Sequence, residues 1–207
     1  MIDEKQLYRD FLNGSIKAFE ALVLEYKDNL IYFISRYTGG DLSTAEDIAQ
    51  DVFAHVYIYK EKYDFNYSFK TYIFRIGKNK AIDFMRKQSR LSFNAYDEAL
   101  EMSSDYKTIE DKIIKTEEKL LIYDSFKKLK PEYQRALYLY VFEELSYKEI
   151  AKVMGKSLPQ IKILIHRARN FIKTLMKEEV KDNEEWCRVF ERRVCKGRSS
   201  FKGKRKV

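Results

Sequence analysis

A chain of 207 residues that is 45% hydrophobic and 35% charged, with 40 Lys and Arg against 32 Asp and Glu, is sized for one or two small packed domains and is no disordered polymer. Its net charge of +8 favours a polyanionic partner, although the 32 acids show that charge is arranged and not merely accumulated. The longest apolar run, Ala136 to Phe142, is core-sized and excludes membrane insertion, Met1-Ile2-Asp3-Glu4-Lys5 is no signal peptide, and Cys187 with Cys195 supplies no disulfide framework, so a reducing cytoplasm is expected.

Helical periodicity runs through the chain and strand patterns are hard to find, which predicts an all-α fold. Phe19, Leu22, Val23, Tyr26, Leu30, Phe33, Ile34 and Tyr37 mark one helix, stopped by Gly39-Gly40. Ser43 with Glu46 reads as a capping box for the next, in which Ala45, Ile48, Ala49, Val52, Phe53 and Val56 bury one face. The opposite face shows Glu46, Asp47, Gln50, Asp51 and His55. The helix dipole accounts for early acids at a few tenths to about 1 kcal/mol each, but it fades after the first turn and leaves Gln50 and Asp51 unexplained.

Tyr63 to Ser68 lacks an apolar period and reads as a loop before a helix starting near Phe69. Through this stretch Phe65, Tyr67, Phe69, Tyr72 and Phe74 run into Arg75, Lys78, Lys80, Arg86, Lys87 and Arg90. That order suits unpaired nucleic acid, because aromatic faces stack on exposed bases at about 1–3 kcal/mol each while cations follow the phosphates. An amphipathic helix with a solvated basic face is the plainer reading of the same run. Arg75, Lys78, Asn79 and Arg86 share one side of it and Tyr72, Ile73, Ile76 and Phe84 the other, with Ile82 out of place on the basic side.

From about Ser92 to Thr116 the acids Asp97, Glu98, Glu101, Asp105, Glu110 and Asp111 predict a flexible linker. A helical pair follows, Glu117 to Lys128 and then Glu132 to Phe142 led by Pro131 as first helical residue. Next comes helix-turn-helix punctuation. Ser146 with Glu149 caps a short helix that Gly155 ends, Ala151 is small enough for close packing, and Ser157 with Gln160 caps a second helix whose first turn tolerates Pro159. Ile161, Leu164, Ile165, Ala168, Ile172 and Leu175 face its core, leaving Gln160, Ile163, His166, Arg167 and Asn170, flanked by Lys162 and Arg169, on a face that can enter a major groove. An ordinary helical hairpin carries the same apolar period.

The tail from about Lys181 places Trp186, Val189, Phe190 and Val194 on a short amphipathic face, with Arg188, Arg192, Arg193, Lys202, Lys204, Arg205 and Lys206 around and beyond it. It reads as a basic extension that adds nonspecific attraction to DNA. Cys187 and Cys195 have only His55 and His166 as further candidate ligands, both in other domains, so no metal site and no cofactor are expected.

Asp41 to Phe53 and Phe69 to Arg86 together resemble the second conserved region of bacterial extracytoplasmic-function (ECF) RNA polymerase sigma factors, and Leu145 to Ile172 is similar to their fourth region. The resemblance spans about Ala18 to Met176 in the right order. It implies two small helical domains joined by an acidic flexible linker: residues 1–91 for polymerase docking and minus-ten recognition and melting, 92–116 as linker, 117–178 for the helix-turn-helix and minus-thirty-five recognition, and 179–207 as a basic tail. The implied partners are core RNA polymerase, promoter DNA as duplex and as melted non-template strand, and an anti-sigma factor.

By position, the resemblance gives Asp47, Gln50 and Asp51 to docking on the polymerase clamp. It gives Tyr63, Phe65, Asn66, Tyr67 and Phe69 to a loop that captures a flipped base, with Tyr72, Arg75, Lys78, Asn79 and Arg86 beside that strand. It gives Gln160, Lys162, Ile163, His166 and Arg167 to the upstream element, and to the linker a path along the transcript exit. Tyr72 stands where Trp is frequent, Gly77 where Ala is usual, and Pro159, Ile163 and Leu164 where Gly, Ser and Arg are common. A stand-alone helix-turn-helix regulator would leave the first half idle. An enzyme fits worse, because no third ligand, nucleophile-base pair or Gly-rich phosphate loop accompanies Asp47 and Asp51.

Overall fold

The structure, a computed structural model, describes residues 3–92 and 128–179. Among these residues the chain is all helix and turn, as expected, and forms two compact units. The first unit holds α1 (Glu4–Leu12), α2 (Ile16–Ser35), α3 (Leu42–Ile58), a 3-10 turn (Lys60–Lys62) and α4 (Phe69–Ser92). The second holds α5 (Pro131–Val141), most of α6 (Tyr147–Met154) and α7 (Leu158–Glu179).

Helix α1 is absent from the sequence reading. It begins because the Asp3 side chain accepts the Lys5 and Gln6 backbone N–H groups at 3.1 and 3.2 Å, satisfying two of the donors a helix start leaves open. It earns its place by burying Tyr8 and Phe11. In α2 the expected Leu22, Tyr26, Leu30, Phe33 and Ile34 are buried, while Phe19 and Val23 are half-buried. The Gly39-Gly40 stop holds, both residues having positive φ (67° and 97°).

The start of α3 differs from the sequence reading. Asp41, not Ser43, is the cap: its carboxylate accepts the Thr44 backbone N–H at 3.1 Å and the Thr44 hydroxyl at 2.5 Å. The Thr44 bonds hold the Asp41 carboxyl below the usual carboxylate range. A carboxylate three residues before an amide outcompetes a hydroxyl for the same turn because its bond is charge-assisted. The six apolar residues expected on the inner face of α3 are all buried, and a Val, Ile or Phe fully removed from water contributes about 1.5–3 kcal/mol.

On α4 the inner face is Phe69, Tyr72, Ile73, Phe74 and Ala81; Phe84, expected inside, is 38% exposed. Gly77 is more than a weak spot in this helix. A methyl at its Cα would lie 3.0 Å from Leu30 Cδ1 and 3.3 Å from Ile34 Cδ1, so its missing side chain lets α2 and α4 close together.

In the second unit Pro131 opens α5 as expected. Both capping boxes form: Ser146 N–H donates to Glu149 at 2.8 Å and Glu149 N–H returns to Ser146 Oγ at 3.3 Å, and Ser157 N–H donates to Gln160 Oε1 at 2.8 Å with Gln160 N–H returning at 3.4 Å. Gly155 has φ +65°, and Lys156 N–H donates to the Ala151 carbonyl at 3.1 Å, the closing bond of a left-handed helix stop. Ile161, Leu164, Ile165, Ala168 and Ile172 are buried. The linker and tail, the helix expected from Glu117 and the side chain of Leu175 lie outside what the structure describes.

Candidate functional site

Glu46, Asp47, Gln50 and Asp51 are all exposed on α3, opposite its buried face. Asp51 accepts from Lys80 Nζ at 3.4 Å, a surface pair worth at most about 1 kcal/mol, so most of this acidic face is uncommitted within the unit. His55, half-buried on the same helix, is held below the usual imidazole pKa by burial and by Lys80 and Lys62.

The loop before α4 is fixed from three directions. Tyr63 Oη donates to the Tyr67 carbonyl at 2.7 Å, Asn66 N–H donates to Asp64 Oδ1 at 2.9 Å, and Ser68 Oγ accepts the Thr71 N–H at 3.2 Å to cap α4. Beneath it lies an aromatic cluster centred on Tyr8, whose ring is 4.4 Å from Tyr63, 5.4 Å from Phe69 and 5.9 Å from Phe65. Burial pushes the Tyr8 and Tyr63 hydroxyls well above the usual phenol range, so both stay neutral donors.

This cluster divides the aromatics that the sequence groups together. Tyr63, Phe69 and Tyr72 are buried, at 6%, 0% and 7% exposure, and serve as the floor of the loop, while Phe74 is buried against Phe33; none of the four offers a face to a base. Phe65 and Tyr67 are half-exposed and Asn66 exposed at the rim. A stacking partner needs ring surface open to solvent, and of the loop aromatics only Phe65 and Tyr67 keep a substantial part of it. Arg9 of α1 stands 5.6 Å from the Phe65 ring, a cation the sequence reading missed; Asp3 at a cap position before Tyr8 and Phe11 was its available signal. Along α4, Arg75, Asn79 and Arg86 are exposed and Lys78 half-buried, so the expected basic side exists.

On α7, Lys162, Ile163, His166, Arg167 and Asn170 are exposed together. Ile163 is 50% exposed and is no part of the core. Gln160 is exposed, but its side-chain oxygen is held in the capping box. His166 Nε2 lies 3.0 Å from Asn170 Nδ2. Arg169, expected as a flank, instead turns inward: its guanidinium lies 4.6 Å over the Tyr140 ring and donates to Tyr147 Oη at 3.4 Å. Burial raises the Tyr147 hydroxyl pKa, with Arg169 pulling the other way. Among the described residues no group of three or more His, Cys, Asp or Glu could hold a metal ion, and no helix is long and apolar enough to cross a membrane.

Two family models match the chain: Sigma-70 region 2 over residues 22–91 and Sigma-70, region 4 over residues 119–172. The chain is 29% identical over 182 residues to the ECF RNA polymerase sigma factor SigW of Bacillus subtilis, covering 84% of this chain and 97% of that protein. It is 28% identical over 180 residues to the RNA polymerase sigma-H factor of Pseudomonas aeruginosa, covering 82% and 91%. Its fold is similar to that of CnrH bound to the cytosolic domain of CnrY (TM-score 0.56, 21% identity, 85% and 98% covered) and of the sigma factor RpoE bound to the anti-sigma factor NepR from Bartonella quintana (TM-score 0.59, 21% identity, 79% and 99% covered).

Proposed function

This chain is an ECF RNA polymerase sigma factor of the sigma-70 family, and from that premise we propose how its residues divide the work of the family: binding core RNA polymerase and directing promoter-specific initiation. Residues 1–91 dock on the polymerase and engage the minus-ten element, 92–116 connect, 117–178 read the minus-thirty-five element, and 179–207 extend beyond them. Asp47, Gln50 and Asp51 meet the polymerase. Support for this comes from their exposure on one face of α3 with no role in the core beneath it.

Phe65, Asn66 and Tyr67 take an unpaired base of the non-template strand, standing on the floor made by Tyr63, Phe69 and Tyr72. Arg75, Lys78, Asn79 and Arg86 follow the strand along α4. Lys162, Ile163, His166 and Arg167 enter the upstream major groove. The protein works without a catalytic centre, in the cytoplasm with its polymerase, and an anti-sigma factor holds it inactive, a partner suggested by the complexes in which both structural relatives occur.

The observation that carries this reading is the pairing, in one chain, of an exposed acidic helix face and aromatic loop with a separately capped recognition helix. A stand-alone regulator needs only the last of these. Promoter-dependent transcription in vitro with added core polymerase tests it: specific transcripts are expected only when chain and core are both present, and specific duplex binding by the chain alone with no transcript is the result that would overturn it.

A further inference from the structure

The rim of the loop before α4 carries a cation to which the division of work above gives no task. Arg9, on α1, is exposed, and its guanidinium carbon stands 5.6 Å from the centre of the Phe65 ring. Its position follows from the residue beside it. Tyr8 is fully buried under the loop, with its hydroxyl on the Lys60 carbonyl at 2.8 Å and its ring 5.9 Å from Phe65, so α1 is pinned where its next side chain reaches the rim. Three acids of the same helix and loop are engaged elsewhere: Asp10 accepts from Gln6 Nε2 at 2.9 Å, Glu4 from the Tyr26 hydroxyl, and Asp64 from the Asn66 N–H at 2.9 Å. Among the described residues Arg9 forms no ion pair, and the Phe65 ring is what its charge faces.

The two buried rings that meet Phe65 do not stack on it, Tyr8 lying at 82° and Tyr63 at 56° to its plane. A closed stack puts atoms about 3.5–4 Å apart, and a flat group held between two planes needs about twice that. At 5.6 Å the Arg9–Phe65 pair falls between these limits. It is short of the second by about 1.5–2.5 Å, which an exposed arginine supplies by rotating its own side chain. A planar guanidinium and an aromatic face are the two kinds of surface on which unstacked bases are held.

We propose that Arg9 and Phe65 form a clip that takes the unpaired base of the non-template strand between a guanidinium and a phenyl ring. The clip rests on base capture by the loop before α4, as proposed above. It adds a residue outside the region 2 match, which begins at residue 22. A cation on the far side of the base adds about two- to fivefold in affinity, the value of an exposed cation–π contact. Attraction to a phosphate is the plainer use of the same charge. The base itself tells the two apart, because a clip is empty without a base and a phosphate contact is indifferent to one.

The test uses holoenzyme, the full chain with core polymerase, and a single-stranded oligonucleotide of the non-template minus-ten sequence from a promoter that it transcribes. A companion series removes one base at a time to leave an abasic sugar. Phe65→Ala is expected to weaken binding of the intact strand, and the abasic position at which that loss disappears marks the base held by the ring. Arg9→Ala is expected to weaken binding of the intact strand about two- to fivefold, with its loss disappearing at the same position. Damage to the fold would weaken every strand alike. Arg9→Lys, which keeps the charge and loses the plane, should bind the intact strand more weakly than the parent, and Arg9→Ala added to Phe65→Ala should cost nothing further. An Arg9→Ala loss that persists at the marked position, or parental binding by Arg9→Lys, assigns Arg9 to a phosphate and overturns the clip; so does parental binding by Arg9→Ala. Parental binding by Phe65→Ala is a separate failure, since it removes base capture by this ring and the clip with it.

Discussion

The ring of Tyr8 lies 4.4 Å from the ring of Tyr63, and Tyr8 Oη donates to the Lys60 carbonyl at 2.8 Å, so the first helix of the chain holds the loop that precedes α4 from below. Tyr8 is fully buried. Tyr8→Ala is therefore expected to cost about 3–5 kcal/mol by removing a large buried ring. Tyr8→Phe keeps the ring and loses only the hydrogen bond, about 1 kcal/mol. Thermal melts of both variants check the ranking; equal losses would show that the ring contacts do not set the stability of this loop.

Phe65→Ala with Tyr67→Ala is expected to impair promoter opening more than closed-complex formation. Stacking partners exist only after bases leave the duplex, and these two are the loop aromatics that are not buried. Permanganate footprinting of unpaired thymines, set beside a closed-complex gel shift, measures the two stages. Equal loss of both stages would contradict base capture here.

Asp51→Arg, alone or with Asp47→Arg, is expected to abolish binding to core polymerase while circular dichroism stays that of the parent. Both side chains are exposed, so reversing their charge strikes an interface and spares the core. Lys80→Ala is the control, because it removes the 3.4 Å partner of Asp51 without reversing the acidic face, and it should bind nearly as the parent does. A pull-down on core polymerase that retains Asp51→Arg would refute the docking role.

On α7, two arginines two positions apart should behave oppositely. Arg167→Ala is expected to relax a guanine preference in a library of upstream elements, at about 1–3 kcal/mol of discrimination, with little change in melting temperature. Arg169→Ala should lower the melting temperature, since Arg169 lies over Tyr140 and bonds Tyr147, and leave base preference intact. Ile163→Ser is expected to relax a thymine preference nearby, because an exposed Ile in a major groove gains about 1 kcal/mol only against the thymine methyl. A fall of several degrees in melting temperature with unchanged preference would return Ile163 to a packing role.

Asp41→Ala is expected to destabilise the first unit by about 1 kcal/mol through loss of the α3 cap. The folded carboxyl pKa is lowered, so the stabilisation is fully present above the unfolded carboxylate value and is lost as pH falls through the lower folded one. Melts from neutral to acid pH should show parent and Asp41→Ala converging at the acid end. Asp41→Asn, which keeps an acceptor without the charge, should fall between them at neutral pH.

Much of this was legible in the chain itself. The inner face of α3, both capping boxes around Gly155 and the outward set Lys162, Ile163, His166 and Arg167 follow from spacing and from local side-chain-to-backbone bonds, which act within a few residues and are written in sequence order. What only the tertiary structure decided are choices between chemically equivalent residues far apart in sequence. Sequence cannot separate Phe65 and Tyr67 from Tyr63, Phe69 and Tyr72, because all five are aromatic; Tyr8, more than fifty residues earlier, packs on Tyr63 and Phe69, Tyr63 in turn packs on Tyr72, and these three are buried while Phe65 and Tyr67 stay half-exposed at the rim. Likewise Arg169 differs from Arg167 only because Tyr140 and Tyr147 stand on its side of α7. Gly77 reads as a weakness until Leu30 and Ile34 fill the space a methyl would take. Local bonding specifies the elements, but burial is a property of what arrives from elsewhere in the chain, and burial decides which side chains remain free to meet a partner.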